Sequence, residues 1–424
     1  MKILHISTND TGGAASAAVR IHQSLLKNNS DSHILFLNRS TYFGLNGHVF
    51  DGSRINLPKE KLIPALNLKN YFLEKIFNKF SNYNNNLIQK ELKIKSISDK
   101  VLKDTLVKFE IFSQPYSTFD LKTLSLFEAA DIIHLHWTAG FLDFPSFFEN
   151  LNKPIVISMY DEYYYLGGFH YENDFLKNGN EYGKLESEFK KLKYECYRKA
   201  NNLSIITGSD WIKEKILKSD IKFNNIKKIY YPVDTKLYRQ IDKNSCRDIL
   251  QISKTKKVFL FASENIKNYR KGFDILMEAI KSDLFDDVVF LILGNLNFIT
   301  LKPNFISLGK VQDELFMPVI YSAADYYVLP SREENFSYTM IESLCCGTPT
   351  IAFNIGDHKT FLEENKFGLI SDLVDSTSLQ NTLLQALNEE VFFDNHFISE
   401  NATKMFSDFS LGKKMFNFYK EISE

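Results

Sequence analysis

Two glutamates, Glu334 and Glu342, stand eight positions apart in the stretch Pro330 to Pro349, PSREENFSYTMIESLCCGTP. An apolar run, Asp325 to Leu329, precedes them, ends at Pro330 and reads as a buried strand. Met340, Ile341, Leu344 and Cys345 then fall on one side of a short amphipathic helix, with Asn335 or Ser337 in reach of its N-cap. Gly347 fits the position just past the helix, Pro349 blocks continuation, and Thr350 to Phe353 begins the next strand. The unit is therefore strand, loop, helix, strand. Ligands of open α/β sheets bind at the carboxyl ends of the strands, and free N–H groups at a helix start favour phosphate. Asn335, Phe336 and Ser337 sit at that start, Glu334 in the loop beside it, and Glu342 about two turns into the helix. A carboxylate so placed can accept hydrogen bonds from ligand hydroxyls. The spacing of the two glutamates alone would suit a surface helix with solvated carboxylates as well.

A second stretch is built for an anion. Arg270-Lys271-Gly272 comes just before a segment with helical apolar spacing at Phe273, Leu276, Ala279 and Ile280. Cations gain nothing from the macrodipole at a helix start, whereas an anion held there gains from the cations and from the N–H groups. Gly12-Gly13 follows the first strand, where glycine lets a backbone approach a ligand closely. The spacing is not G-x-G-x-x-G, so it is no dinucleotide fingerprint. Two more strands end in polar and aromatic side chains. One is Asp131 to Trp137, DIIHLHW, in which His134 and His136 share a face and Leu135 takes the other. The second is Pro154 to Ser158, followed by Met159-Tyr160-Asp161 and then Gly167-Gly168-Phe169-His170-Tyr171. No Asp-x-Asp and no His/Cys cluster appears where strands end, so no metal site is expected.

These loops need sheets to carry them. Lys2 to Ser7, the glycine turn, a helix carrying Ala18, Ile21, Leu25 and Leu26, and His33 to Leu37 make a βαβ start. Leu203 to Thr207 and Ile226 to Tyr231 are further strands, and Pro232-Val233-Asp234 leads to a boundary near residue 235. Val258 to Ala262 starts afresh, with Val288 to Leu293, Ile306 to Gly309 and the run from Asp325 behind it. Strand and helix patterns alternate in both halves, which calls for parallel sheets. The fold class is α/β, with two Rossmann-like domains facing each other across a cleft. Residues 41–125 read as an insertion on the acceptor side. Within it, Leu66 to Phe80 sets Lys69, Lys75 and Lys79 among Phe72, Ile76, Phe77 and Phe80. That pattern fits a packed helix with solvated lysines or a contact with a membrane surface.

The chain has 424 residues, 44% hydrophobic and 24% charged, which suits a globular protein of two or three domains. Its 51 basic and 52 acidic residues leave a net charge of −1, so composition gives no support to nucleic-acid binding. Cysteines 196, 246, 345 and 346 lack metal-ligand spacing, and Cys345 and Cys346 are expected as packed thiols in a reducing, cytoplasmic compartment. The start, MKILHIS, has no long apolar core or cleavage site, so no signal peptide is expected. No run of 18 apolar residues occurs, so no membrane span is expected, and peripheral contact at the inner face stays open.

Taken in order, these motifs resemble the retaining family-4 glycosyltransferases of bacterial polysaccharide biosynthesis, which have the GT-B fold. Pro330-Ser331, the E-x7-E pair Glu334 and Glu342, and Cys346-Gly347-Thr348-Pro349 carry the resemblance, as do the HLHW strand, Asp161 and the Gly167-Gly168-x-His170-Tyr171 stretch. Residues 41–125 are unmatched. The resemblance implies transfer of a sugar from a nucleoside-diphosphate sugar to a hydroxyl of a growing glycan or lipid-linked acceptor, with no metal or other cofactor. It implies an acceptor domain at 1–234, a donor domain at 235–406 and a C-terminal helix at 407–424 crossing back to the first domain. Glu334 would hold donor-sugar hydroxyls near the anomeric carbon, and Glu342 would bind the ribose. Lys271, Arg270 and the N–H groups near Phe336 and Ser337 would take the diphosphate, with Gly12 and Gly13 close by. Tyr160, Asp161 and His170 would line the acceptor side with His136 and Trp137. The chain departs from the family at Tyr160, where histidine is usual, at Ala262 to Asn265, where an arginine is missing, and in lacking a cysteine cluster after Tyr171. Those departures leave open a non-catalytic sugar- or nucleotide-binding homologue. A nucleotide-sugar epimerase on the same fold is the other alternative.

Overall fold

The computed structural model describes residues 1–54, 110–294, 304–311 and 313–424. The segment Leu66 to Phe80, with its lysines, lies outside the described residues. The apolar runs assemble into two parallel sheets. The first holds β1 (Lys2–Asn9), β2 (Asp31–Asn38), β3 (Gly47–Val49), β4 (Ile132–Leu135), β5 (Ile155–Met159), β6 (Leu203–Thr207) and β7 (Asn225–Lys228), in the order β3-β2-β1-β4-β5-β6-β7. The second holds β8 (Val258–Ala262), β9 (Val289–Leu293), β10 (Phe305–Gly309), β11 (Tyr326–Leu329), β12 (Thr350–Phe353) and β13 (Gly368–Ser371), in the order β10-β9-β8-β11-β12-β13. Every residue of β4, β5, β6, β8, β9, β11 and β12 is buried. Helices cover both faces of a parallel sheet, so its central strands read as unbroken apolar runs and not as alternations.

Each sheet has one place where strand order reverses: between β1 and β4 in the first, and between β8 and β11 in the second. Crevices open at such switch points, outside the carboxyl ends of the strands. The helices that bear on them are α1 (Gly13–Lys27), α2 (Glu172–Tyr197), α3 (Asp210–Leu217), α4 (Phe273–Ala279), α5 (Tyr338–Cys345) and α6 (Asp408–Ser423). The 26-residue α2 carries no clean apolar stripe, because Asn178, Glu186 and Lys193 are buried along with Phe189 and Tyr197. That mixture hides it from a periodicity reading. The last helix, α6, packs Leu411, Met415, Phe418, Tyr419 and Ile422 against Ile3, Ile21, Leu25, Ile132 and Val156 of the first sheet and α1. Cys196, Cys246, Cys345 and Cys346 are free and buried.

Candidate functional site

The loops after β1, β4 and β5 meet those after β8 and β11 around a cavity of about 510 Å³. Of the residues singled out in the sequence, Gly12, Gly13, Trp137, Tyr160, Asp161 and His170 line it from the first domain. Arg270, Lys271, Glu334, Phe336 and Ser337 line it from the second. Asn335, Glu342 and His136 are outside that lining.

The second-domain wall is a compact charge array. Lys271 Nζ donates to Glu334 Oε2 at 2.5 Å, and Arg270 Nη1 donates to the same oxygen at 3.1 Å and to the Glu333 carbonyl at 3.0 Å. Burial alone would raise the Glu334 carboxyl pKa, but Lys271 and Arg270 outweigh it and hold the group at about 2. Glu334 is therefore ionised across the ordinary pH range. The array depends on close backbone approach. Arg270 and Lys271 sit in a 3₁₀ turn, Tyr269–Lys271, that ends at Gly272 with φ +67°. A Cβ on Gly272 would lie 1.8 Å from the Pro330 carbonyl, so only glycine fits where the turn meets the loop after β11. The start of α5 also opens here, capped by Ser337, whose Oγ accepts from Met340 N.

The first-domain wall is held from behind. His170 Nδ1 donates to Asp161 Oδ2 at 2.7 Å, and Trp137 Nε1 donates to that oxygen at 3.1 Å. Burial would raise the Asp161 carboxyl, but His170 prevails and keeps it below its usual value. The loop 163–170 is clamped by α2, which the sequence reading missed. Glu186 accepts from the backbone N–H groups of Gly167, Gly168 and Phe169. Lys193 donates to the carbonyls of Tyr163 at 2.6 Å and Leu166 at 3.1 Å. A Cβ on Gly167 would come within 2.1 Å of the Glu186 carbonyl, so the loop lies directly on the helix.

Three expectations differ from the observed arrangement. Asn335, expected at the donor phosphate, instead ties the domains together through its side chain. Its Nδ2 donates to the Met159 carbonyl at 2.8 Å and its Oδ1 accepts from Ser209 at 2.5 Å. Glu342, the expected ribose ligand, is 6% exposed and bonded to Arg20 at 2.6 Å and to the Tyr321 hydroxyl at 2.8 Å. His136, expected on the acceptor side, is fully buried under Tyr160, whose hydroxyl lies 2.6 Å from its Nδ1. The opposite His136 nitrogen is 2.8 Å from His5 Nδ1. Against the expectation of no histidine cluster, His5 of β1 joins His134 and His136 in a buried group where β1 pairs with β4, with ring nitrogens within 4.8 Å of one another. Burial holds all three imidazoles far below the usual histidine range. His134 bonds to the Tyr419 hydroxyl at 2.7 Å and to Ser158 at 2.8 Å, so of the six nitrogens only His5 Nε2 lacks a partner. His5 and His136 make a neutral hydrogen-bond chain that supports Tyr160 from below, while His134 ties β4 to Tyr419 and Ser158.

Comparison with known proteins finds similarity over part of the sequence and over the whole fold. Residues 256–389 match the family Glycosyl transferases group 1. The N-acetyl-alpha-D-glucosaminyl L-malate synthase of Bacillus anthracis is 21% identical over 181 residues, 40% of this chain and 46% of that protein. The UDP-Gal:alpha-D-GlcNAc-diphosphoundecaprenol alpha-1,3-galactosyltransferase of Escherichia coli is 28% identical over 148 residues, 32% of this chain and 37% of that one. The matched region thus spans less than half the length of either relative. In fold the likeness extends along nearly the whole chain. The structure of HepE from Anabaena in complex with UDP superposes with a TM-score of 0.64 at 14% identity, covering 99% of this chain and 100% of that one. Residues 256–389 are thus similar to Glycosyl transferases group 1, and the chain as a whole has a two-domain GT-B architecture.

Proposed function

We propose that the chain is a retaining, metal-independent glycosyltransferase that moves a sugar from a nucleoside-diphosphate sugar to a hydroxyl of a growing glycan or lipid-linked acceptor. In this reading the bond between the anomeric carbon and the diphosphate breaks. A new bond from the acceptor oxygen forms on the same face, and the acceptor proton passes to the departing phosphate oxygen. The negative charge growing on that leaving group is what the protein must stabilise, and fixed cations and dipoles are the strongest means of doing so. Lys271 and Arg270 supply the cations, and the N–H groups at the start of α5 add partial positive charge. Glu334, ionised between them, accepts hydrogen bonds from donor-sugar hydroxyls. Asp161 and His170 line the acceptor side. Domains 1–234 and 235–406 take acceptor and donor respectively, and the helix at 407–424 links them.

The observation that carries this reading is the placement of Glu334, Lys271 and Arg270 at the second switch point, with Asp161 and His170 in the opposite wall of one cavity. The relatives support the substrate class: one is a galactosyltransferase acting on a diphosphoundecaprenol-linked sugar, and one fold neighbour was solved with UDP. A cytoplasmic enzyme working at the inner membrane face follows from the lipid-linked reading. No helix among the described residues is long and apolar enough to cross a membrane. A thermal-shift panel of UDP-, GDP- and ADP-sugars tests the donor class, because a ligand of the native state raises stability by mass action. One base should raise the melting temperature and be turned over with a hydroxyl acceptor. A panel with neither shift nor turnover contradicts the reading.

A further inference from the structure

Glu110, a charged residue of the cavity wall, is not used by the proposed reaction. Glu110 belongs to the first domain, where its backbone N–H donates to Asp174 Oδ2 of α2 at 3.2 Å. Its carboxylate reaches across the cleft to Arg270 of the second domain. Arg270 Nε donates to Oε2 at 2.5 Å and Nη2 donates to Oε1 at 3.3 Å. The side chain of Asn268 also bonds to this carboxylate. Burial would raise the Glu110 carboxyl, but Arg270 overrides it and keeps the group ionised. The remaining nitrogen, Nη1, is spent on the Glu333 carbonyl and on Glu334. The guanidinium face rests on the Tyr171 ring, 4.3 Å from its centroid. An anion entering the cavity therefore meets an arginine whose forked edge is already filled by a carboxylate. That edge, two parallel N–H donors, is the geometry that grips phosphate.

We propose that Glu110 is a gate residue on Arg270: it stands in for a substrate phosphate, yields to the incoming diphosphate, and weakens the hold on that diphosphate once sugar transfer is complete. The inference rests on the donor site proposed above. Two contributions act in one direction. Diphosphate must break the Glu110–Arg270 pair to reach the guanidinium, and the displaced carboxylate then remains beside a like charge. Glu110 is 30% exposed, so it can swing into water, whereas Arg270 at 12% is held in place. The arrangement trades affinity for release, which benefits a transferase whose diphosphate product is more strongly charged than its donor.

Titration calorimetry of the full chain with UDP, GDP and ADP decides it, using wild type, Glu110→Gln, Glu110→Ser and Lys271→Ala. Both Glu110 variants should bind the preferred diphosphate more tightly, by about tenfold, since the opposing charge is gone. Lys271→Ala should bind it more weakly. Unchanged or weaker binding in both Glu110 variants, with Lys271→Ala still impaired, overturns the gate and leaves the donor site standing. If no diphosphate binds the wild type, or Lys271→Ala binds like the wild type, donor site and gate fall together.

Discussion

Arg20 on α1 and Glu342 on α5 form an ion pair at 2.6 Å that joins the two domains beneath the cavity. Arg20 also donates to Glu314 at 2.6 Å and packs on the rings of Tyr238 and Tyr338, 5.2 and 4.8 Å from their centroids. Both members of the pair are largely buried, at 12% and 8% side-chain exposure. Removing one partner of such a pair strands the other charge. Arg20→Met is therefore expected to cost about 3 kcal/mol in urea unfolding. The double variant Arg20→Met/Glu342→Gln should recover part of that loss, because the stranded carboxylate is gone. A single variant as stable as the wild type would show the pair to be dispensable.

Tyr160 stands where the resembling family has histidine, and its hydroxyl points inward to His136. Burial raises the phenol pKa far above its ordinary value, so it keeps its proton. Tyr160→Phe should leave His136 Nδ1 unpaired in the interior and lower stability by about 1–3 kcal/mol, while diphosphate affinity stays the same. Calorimetry and thermal melts on one preparation separate the two effects. Product formation is expected from the wild type. Activity confined to Tyr160→His would mark the natural chain as a non-catalytic homologue.

Glu333, in the loop after β11, has a raised carboxyl pKa. Burial, then the nearby Glu162, lift it from 4.5 to about 7. Between those values the folded protein keeps a proton that the unfolded chain has lost. Stability should therefore fall as pH rises through that window. Glu333→Gln removes this cost, so its gain over wild type should be larger at pH 8 than at pH 5. The difference should be on the order of 1–3 kcal/mol. Melting curves at both pH values check this, and an equal gain at the two would contradict the buried-acid account.

The strand-loop-helix unit around Glu334 was legible because each part has a local signal: an apolar run, a cap, a glycine, a proline. Even there Ser337 and not Asn335 took the cap, since both residues suit it and tertiary contacts chose between them. The pattern put His134 and His136 on one strand face, but it could not tell that α6 would bury that face and supply the Tyr419 hydroxyl. The cross-cleft pairs were out of reach. Arg20 and Glu342 are 322 positions apart, and Glu110 and Arg270 are 160 apart, so no periodicity links them. Glu186 and Lys193 were hidden for a different reason. Charged residues on the buried side of a helix erase the stripe by which a helix is recognised.

Transfer should survive excess EDTA, because Lys271 and Arg270 carry the charge stabilisation proposed for the leaving group. Radiolabelled-donor assays with and without chelator measure this. Activity lost in EDTA and restored by manganese would require a metal in the mechanism.

The most direct test of the account is the turnover of Glu334→Gln. Glu334 lies in the cavity wall, bonded to Lys271 and Arg270, and is proposed to act there on the donor sugar. With cognate donor and acceptor, nucleoside-diphosphate release coupled to product formation should fall by a factor of tens or more, while the circular-dichroism spectrum and melting profile stay those of a folded protein. A folded Glu334→Gln variant with full turnover would contradict the assignment of this cavity as the site of sugar transfer.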